Sequence, residues 1–412
     1  MHKEVTSDSS LHERLSAVDS LRAFLALLGF PLHAVFFMAG SFFSLHAVSD
    51  GNWVQYAQGM LGLTKGYFLS VCYIHVFRMA TFFLLTGFFA RLIYQKYGRK
   101  KFILNRLYRI GLPLLFFQLW AVCLYFIFFS LAPFLPDFFS EVVSNYFTQL
   151  YVIGGGWWGR VNSLNFAWFL YFLLWFYALT FLILRLRQSS RRFSYFLKKM
   201  DGYCLTLFSS PWHCMTIGLF CGALLCFQTK VDTIAGKITL LPQTGLISSY
   251  GVWYILGWWL WGHQDKFLLL FNRCRLKLFL SLVLYGASIC WYLYSANTHY
   301  FFKGIIDVLL YQLSQSYAVM ALFGIAWHYV SKPNRLLRYI SGASYWLYVV
   351  QVPVGIVLMP LMIFFDIDYI HNHFISFSIE TSVICFVIAL LSYHLLVRHT
   401  WLKSIFGGKI HS

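Results

Sequence analysis

Charge is what this 412-residue sequence has least of: only 11% of its residues are Asp, Glu, Lys or Arg. A soluble domain carries about a quarter. So few charged groups cannot cover a water-exposed surface, which excludes an ordinary soluble globule. Acidic side chains are scarcest, 14 against 32 basic ones, for a net charge of +18. In a soluble protein that excess would point to nucleic acid. Here the basic residues sit in short stretches between apolar runs, so no nucleic-acid partner is expected. The nine cysteines, among them Cys72, Cys123, Cys221, Cys226, Cys290 and Cys385, form no CxxC pair and no zinc spacing. They read as small buried hydrophobes, and neither a disulfide framework nor a metal is expected. The first residues, MHKEVTSDSSLHERLSAVDS, are polar and mixed in charge, which does not fit a cleavable signal peptide. No internal repeat of the kind found in transporters is visible.

What is abundant is apolar length. Hydrophobic residues make up 59% of the chain and mean hydropathy is +0.65. About 20 such residues cross a bilayer core. Ten runs qualify, near 20–46, 70–94, 106–131, 164–186, 203–227, 241–263, 275–297, 302–330, 339–365 and 373–397. The fold class expected is therefore all-α, a polytopic integral membrane helical bundle with about ten transmembrane helices. Aromatics at 21% suit many helix ends at headgroup level.

The basic residues orient the bundle. With ten spans, 25 of the 32 fall on the side holding stretches 95–106, 185–200, 264–277, 328–338 and the tail 398–409. Five (Lys65, Arg160, Lys230, Lys237 and Lys303) fall on the other, and Arg22 and Arg78 lie inside helices. The positive-inside rule then puts both termini of this multi-pass protein on the cytoplasmic side; a bacterial inner membrane is the expected location. The expected organisation is a cytoplasmic segment 1–19, a membrane domain 20–397 and a basic tail 398–412. The outer connection 132–163, with Pro133, Pro136, Gly154 to Gly156, Trp157 and Trp158, reads as an interfacial turn or a carbohydrate-contacting loop. Asp366, Asp368, His371 and His373 read as a solvated loop and not as a metal site.

Polar groups within spans are costly and mark function. Arg22 and His33 are eleven residues apart on the first span. At 100° and 1.5 Å per residue they share one face, about 16 Å apart. Asp19 is a plausible N-cap, and Gly29 with Pro31 can kink the helix before His33. On the second span His75 and Arg78 share a face at i and i+3, at a depth similar to His33. A base and a cation beside a carbonyl suit acyl transfer. The alternative for Arg78 is a structural counter-ion to Asp307 or Glu380. Arg106 and Arg109, with Arg99, Lys100 and Lys101, form a cationic cluster that would attract lipid headgroups or the phosphates of a donor. On the eighth span Asp307, Tyr311, Ser314 and Gln315 form a stripe that either lines an acceptor cavity or holds helices together.

Three of these segments look familiar. Asp19, Arg22 and His33 in D-x-L-R with R-x10-H, F-R-M-x-x-F-F-L-L-T-G-F-F (Phe77 to Phe89) and R-L-Y-R-I-G-L-P (Arg106 to Pro113) resemble the motifs of the acyltransferase 3 family. AWFLYFL (Ala167–Leu173), S-G-A-S-Y-W-L-Y (Ser341–Tyr348) and L-K-S-I-F-G-G-K (Leu402–Lys409) resemble later segments of its members. The resemblance implies an O-acyltransferase moving an acyl group, such as succinyl or acetyl. The donor would be a cytoplasmic acyl-CoA, used as substrate, with no tightly bound cofactor. The acceptor would be a hydroxyl of an extracytoplasmic glycan such as a periplasmic glucan. Membrane lipids are the remaining partners. By carry-over His33 is the candidate base, Arg22 a donor-contacting or positioning cation and Arg78 an active-site cation; the residues themselves add His75 as a catalytic candidate and Arg106 and Arg109 as donor-binding ones. Asp307 and Gln315 are the acceptor-cavity candidates. Two positions depart from the family pattern: Phe166 and Gln351 stand where relatives carry histidine, and Gln cannot act as a base. The reading from another class is a transporter or flippase for a lipid-linked or acylated glycan.

Overall fold

The structure is a computed structural model that describes residues 17–35, 53–116, 119, 130, 134, 168–226, 244–263, 271–295, 303–330, 335–365 and 373–406. The described residues are almost all helical, with no strand among them. In chain order the helices are α1 (Ala17–Val35), α2 (Trp53–Arg106), α3 (Trp168–Ser189), α4 (Arg191–Ser209) and α5 (His213–Cys226). They continue with α6 (Thr244–Gly262), α7 (Cys274–Ser295), α8 (Lys303–Tyr329), α9 (Arg335–Phe365), α10 (Phe374–Ser392) and α11 (Lys403–Phe406). Two π-helical turns extend the set, Leu107–Gly111 after α2 and Tyr393–Val397 after α10.

Six stretches among the described residues are long and apolar enough to cross a membrane: Ala17–Val35, Leu69–Phe116, Trp168–Ser189, Cys274–Ser295, Gly304–Tyr329 and Phe374–Val397. Leu69–Phe116 holds one expected run and the start of the next. Between them Gly98 takes φ 74°, ψ 177°, a left-handed turn that a side chain would resist, and helix resumes at once. The outward face of α10 carries Ile375, Ile379, Val383, Val387 and Leu391, all exposed at four-residue spacing. In water such a stripe would be a liability; against lipid it is the expected surface.

Two boundaries differ from the sequence reading. The run expected at 203–227 is cut in two. Residues 203–209 finish α4, Ser210 is extended (φ −67°, ψ 145°), and the next helix starts at His213. The cause is Pro211, whose ring disfavours helical geometry in the residue before it. The basic stretch 185–200, read as a connection, is also helical. Ser190 caps α4 by accepting a hydrogen bond from the Phe193 amide at 3.2 Å. The 132–163 connection and Asp366, Asp368 and His371 lie essentially outside the described residues.

Small residues set the helix spacing. A Cβ on Gly87 would strike the Tyr254 carbonyl, and one on Gly257 would strike the Leu84 carbonyl, so α2 and α6 cross backbone to backbone. Gly218 of α5 meets α8 in the same way: a Cβ there would stand 2.9 Å from Leu313 Cα. Close approach of this kind is how helices associate where no water is expelled between them. Polar side chains add to it: Ser281 of α7 and Ser314 of α8 each donate to the other's carbonyl, at 2.7 and 2.9 Å. An aromatic cluster of Phe83, Phe169, Phe172, Phe176 and Tyr250 fills the space between α2, α3 and α6. This rigid block holds one face of α2 against α1 and α9, where the polar residues collect.

Candidate functional site

The polar residues of α1 are arranged by its kink. Pro31 has no N–H to give the Leu27 carbonyl, and the helix loosens to a turn at Leu28. The Leu25 carbonyl there accepts a hydrogen bond from Arg78 Nε at 3.1 Å. Arg78 comes from α2 and is 2% exposed. Its guanidinium lies against Gly29, where a Cβ would overlap Nη2 and stand 3.0 Å from Cζ. Gly29 is on the Arg22–His33 face of α1, seven residues after Arg22 and four before His33. The missing side chain at Gly29 is thus what lets a cation of α2 reach the ridge of α1.

Around Arg78 the other groups converge. His33 and His75, both half-buried, lie within electrostatic reach of it and His33 of His75. Tyr348 of α9 is within the same reach. Gln351, one turn further along α9 and 3% exposed, places Oε1 2.5 Å from the Gly29 Cβ position. The Arg78 guanidinium sits 5.8 Å above the Phe82 ring. The hydrogen bond found for Arg78 therefore runs to backbone of α1.

Below Phe82 lies a cavity of about 370 Å³. Its ceiling is Phe82, Phe169 and Tyr348, and its lower walls carry four cations, Arg22, Lys96, Arg106 and Arg109, with one acid, Asp19. α1, α2, the π-turn after it, α3, α9 and α11 all contribute. Arg22 is clamped: Nη2 donates to the Ser341 carbonyl (2.8 Å) and Oγ (2.9 Å), and pairs with Asp19 Oδ1 at 3.3 Å. Ser341 Oγ also donates to Asp19 Oδ1 at 3.2 Å. Asp19, expected as an N-cap, is instead inside α1, and its carboxylate is held by Arg22 one turn on. Tyr345 donates to the Arg109 carbonyl at 2.6 Å and so fixes the π-turn that aims Arg109 and Arg106 inward. Arg106 lies 5.0 Å over the Tyr177 ring, and its Nε and Nη2 make no hydrogen bond among the described residues. The same is true of the Tyr97 and Tyr177 hydroxyls. A cation held on an aromatic face with unsatisfied N–H and O–H groups around it is built to receive an anion.

The structure thus brings Arg22, Arg106 and Arg109 to one cavity and His33, His75 and Arg78 to one cluster above it. It places the remaining two candidates elsewhere. Gln315 joins helices: Nε2 donates to the Val76 carbonyl (2.7 Å) and Oε1 accepts from Trp253 Nε1 (3.1 Å). Asp307 is half-buried near the start of α8. Sequence reasoning missed Lys96, Tyr97, Tyr177, Ser344, Tyr345 and Tyr348. For α9 a signal existed: Ser341, Ser344, Tyr345 and Tyr348 fall at i, i+3, i+4 and i+7, the spacing of one helical face. Phe166 lies outside the described residues. Among the described residues no three His, Cys, Asp or Glu side chains are grouped to hold a metal ion.

Comparison with known proteins gives the chemistry. The model of an acyltransferase domain family matches residues 15–397. Curated relatives are named glucans biosynthesis protein C. Those of Salmonella heidelberg (strain SL476) and Salmonella schwarzengrund (strain CVM19633) are 24% and 25% identical, each over 95% of this chain and 94% of the relative. That of Escherichia coli (strain K12) is 37% identical over 98 residues, 24% of this chain and 22% of the relative. No solved structure matches.

Proposed function

Since the chain belongs to the acyltransferase 3 family and is a membrane acyltransferase, we propose that it is an O-acyltransferase of glycans, using a cytoplasmic acyl-CoA. The observation that carries the proposal is the two-storey site: a cation-lined cavity at the end of the bundle with the basic stretches, and a His–Arg cluster above its aromatic ceiling. Along α1, Arg22 and His33 are separated by eleven residues, a rise of about 16 Å. A donor whose anionic end rests on Arg106, Arg109 and Lys96 must reach up that distance before its acyl group meets His33. A thioester on an extended arm, ending in phosphates and a flat base, has that shape. The phosphates match the cations, and the base matches the aromatic lining of the cavity.

In the proposed reaction the acceptor hydroxyl gives its proton to His33, and its oxygen attacks the thioester carbonyl carbon. Arg78 faces the oxygen on which negative charge develops, in surroundings that strengthen the attraction. The C–S bond then breaks. The leaving thiolate takes the proton back from the His33 imidazolium, so free thiol and an ester are the products. His75, one turn from Arg78, steadies the cluster. The acceptor side is the outer face of a ten-span inner-membrane bundle with both termini cytoplasmic. The relatives' name supports a glucan as the acceptor class, with succinyl or acetyl as the group moved. Asp307 at the start of α8, away from the His–Arg cluster, is the proposed contact for the acceptor.

The test is covalent. Envelope glycans of a strain lacking the gene, and of the same strain with it restored, are compared by mass. Loss of an acyl mass that returns with the gene supports the proposal. Unmodified glycan accumulating inside the cell, with no acyl difference, would show transport instead.

A further inference from the structure

We infer that Gln351 is the second half of a two-donor cradle for the carbonyl oxygen of the transferred acyl group, with Arg78 as the first. The inference rests on the proposed acyl transfer and names a residue that reading does not use. Four observations carry it. Gln351 and Arg78 are both almost fully buried, 3% and 2% exposed. They come from different helices, α9 and α2, yet both close on one point, the space a Cβ of Gly29 would fill. Arg78 Nη2 and both carboxamide atoms of Gln351 make no hydrogen bond among the described residues, though Arg78 Nε is fixed on the Leu25 carbonyl. Finally, Tyr348, one turn from Gln351 on α9, is part of the cavity ceiling, so the pair lies directly beyond the end of the donor cavity.

Buried polar groups are almost always satisfied, and leaving several unsatisfied together is costly. At the shared point the Arg78 guanidinium meets Gln351 Oε1; with the carboxamide flipped, the guanidinium N–H and the Gln351 Nε2–H form the arrangement that binds an oxygen acquiring charge. Gln351 has no proton to trade at neutral pH. It can turn its amide to present Nε2, and this leaves proton transfer to the neighbouring imidazole. Gly29 completes the cradle by its lack of a side chain.

Three substitutions separate this role from a packing role. Gln351→Glu keeps the shape and puts a carboxylate beside Arg78, an ion pair that holds the fold but occupies the guanidinium and repels the oxyanion. Gln351→Met keeps the length and removes both polar atoms. Gln351→His restores a donor. Each is expressed in a strain lacking the gene, and the rate at which acyl mass appears on envelope glycans is divided by the amount of full-length protein in the membrane. Glu and Met are expected to reach wild-type amounts and melting temperature while the rate falls about 100-fold, as when one oxyanion donor is lost. His is expected to recover at least a tenth of the wild-type rate. Wild-type rates for Glu and Met overturn the inference, as does failure of both to reach the membrane, which would assign Gln351 to folding. His33→Ala, run alongside, keeps the two claims apart. If it abolishes transfer while Glu and Met are fully active, only the Gln351 cradle is wrong. If it too is fully active, the reading of the whole site is wrong.

Discussion

Adding one methyl group at Gly29 perturbs the site without replacing any polar residue. A Cβ there would overlap Arg78 Nη2 and lie 2.5 Å from Gln351 Oε1 and 3.0 Å from Arg78 Cζ. Ordinary contact begins near 3.4 Å, so the guanidinium and the amide must each retreat by about 1 Å. Leu25 holds Arg78 by Nε, so the retreat is a swing of the free N–H away from the reacting point. The fold should tolerate it. Alanine gains about 1 kcal/mol of helix propensity over glycine, which offsets much of the roughly 1–3 kcal/mol that overpacking costs. Catalysis should not tolerate it, because a 1 Å misplacement of a catalytic group costs about 100-fold, or roughly 2.7 kcal/mol of transition-state stabilisation. The control is Gly286→Ala, where a Cβ meets nothing within 4 Å. The assay is the initial rate of glycan acylation per membrane-inserted protein, with melting temperature in detergent measured on the same variants. A Gly29→Ala protein of normal abundance whose rate stays within about 3-fold of wild type would refute the placing of Arg78 at the reacting centre.

Other substitutions sort the site into parts. Gly87→Ala and Gly257→Ala force apart backbones of α2 and α6, so both should remove most folded protein from the membrane, read by fluorescence-detected gel filtration. Arg106→Ala takes away the cation stacked on Tyr177. It should raise the donor KM by about 10-fold or more, the worth of a charge-assisted contact, and leave kcat within a few fold. Arg22→Lys loses the planar Nη2 group that donates to both Ser341 O and Oγ. It should cost about 10-fold in kcat/KM at unchanged protein level, because a point charge cannot replace two directed bonds.

Arg22, His33, His75 and Arg78 were legible in the sequence because charge inside an apolar run stands out, and helical spacing says which of them share a face. The all-helical membrane character was legible because long apolar runs stand out, and six such spans are seen among the described residues. What the sequence could not supply was contact between segments far apart in the chain. Ser341 holds Arg22 across 319 positions, and nothing local to either announces it. Gly29 read as a kink, which it shares with Pro31, but its second role depends on where α2 passes. Gln315 looked like a cavity residue and is placed between Val76 and Trp253, because a polar stripe in a membrane helix looks the same whether it faces water or a neighbouring helix. The division of the fifth run by Pro211 was present in the sequence, yet total hydrophobicity outweighed one proline.

Replacing His33 by alanine tests the central claim most directly. Proton transfer by a placed side chain contributes about 100- to 10,000-fold. A strain whose only copy carries His33→Ala, present in the membrane at the wild-type level, should therefore yield envelope glycans at their unacylated mass. Glycans of full wild-type acyl mass from that strain would contradict the account.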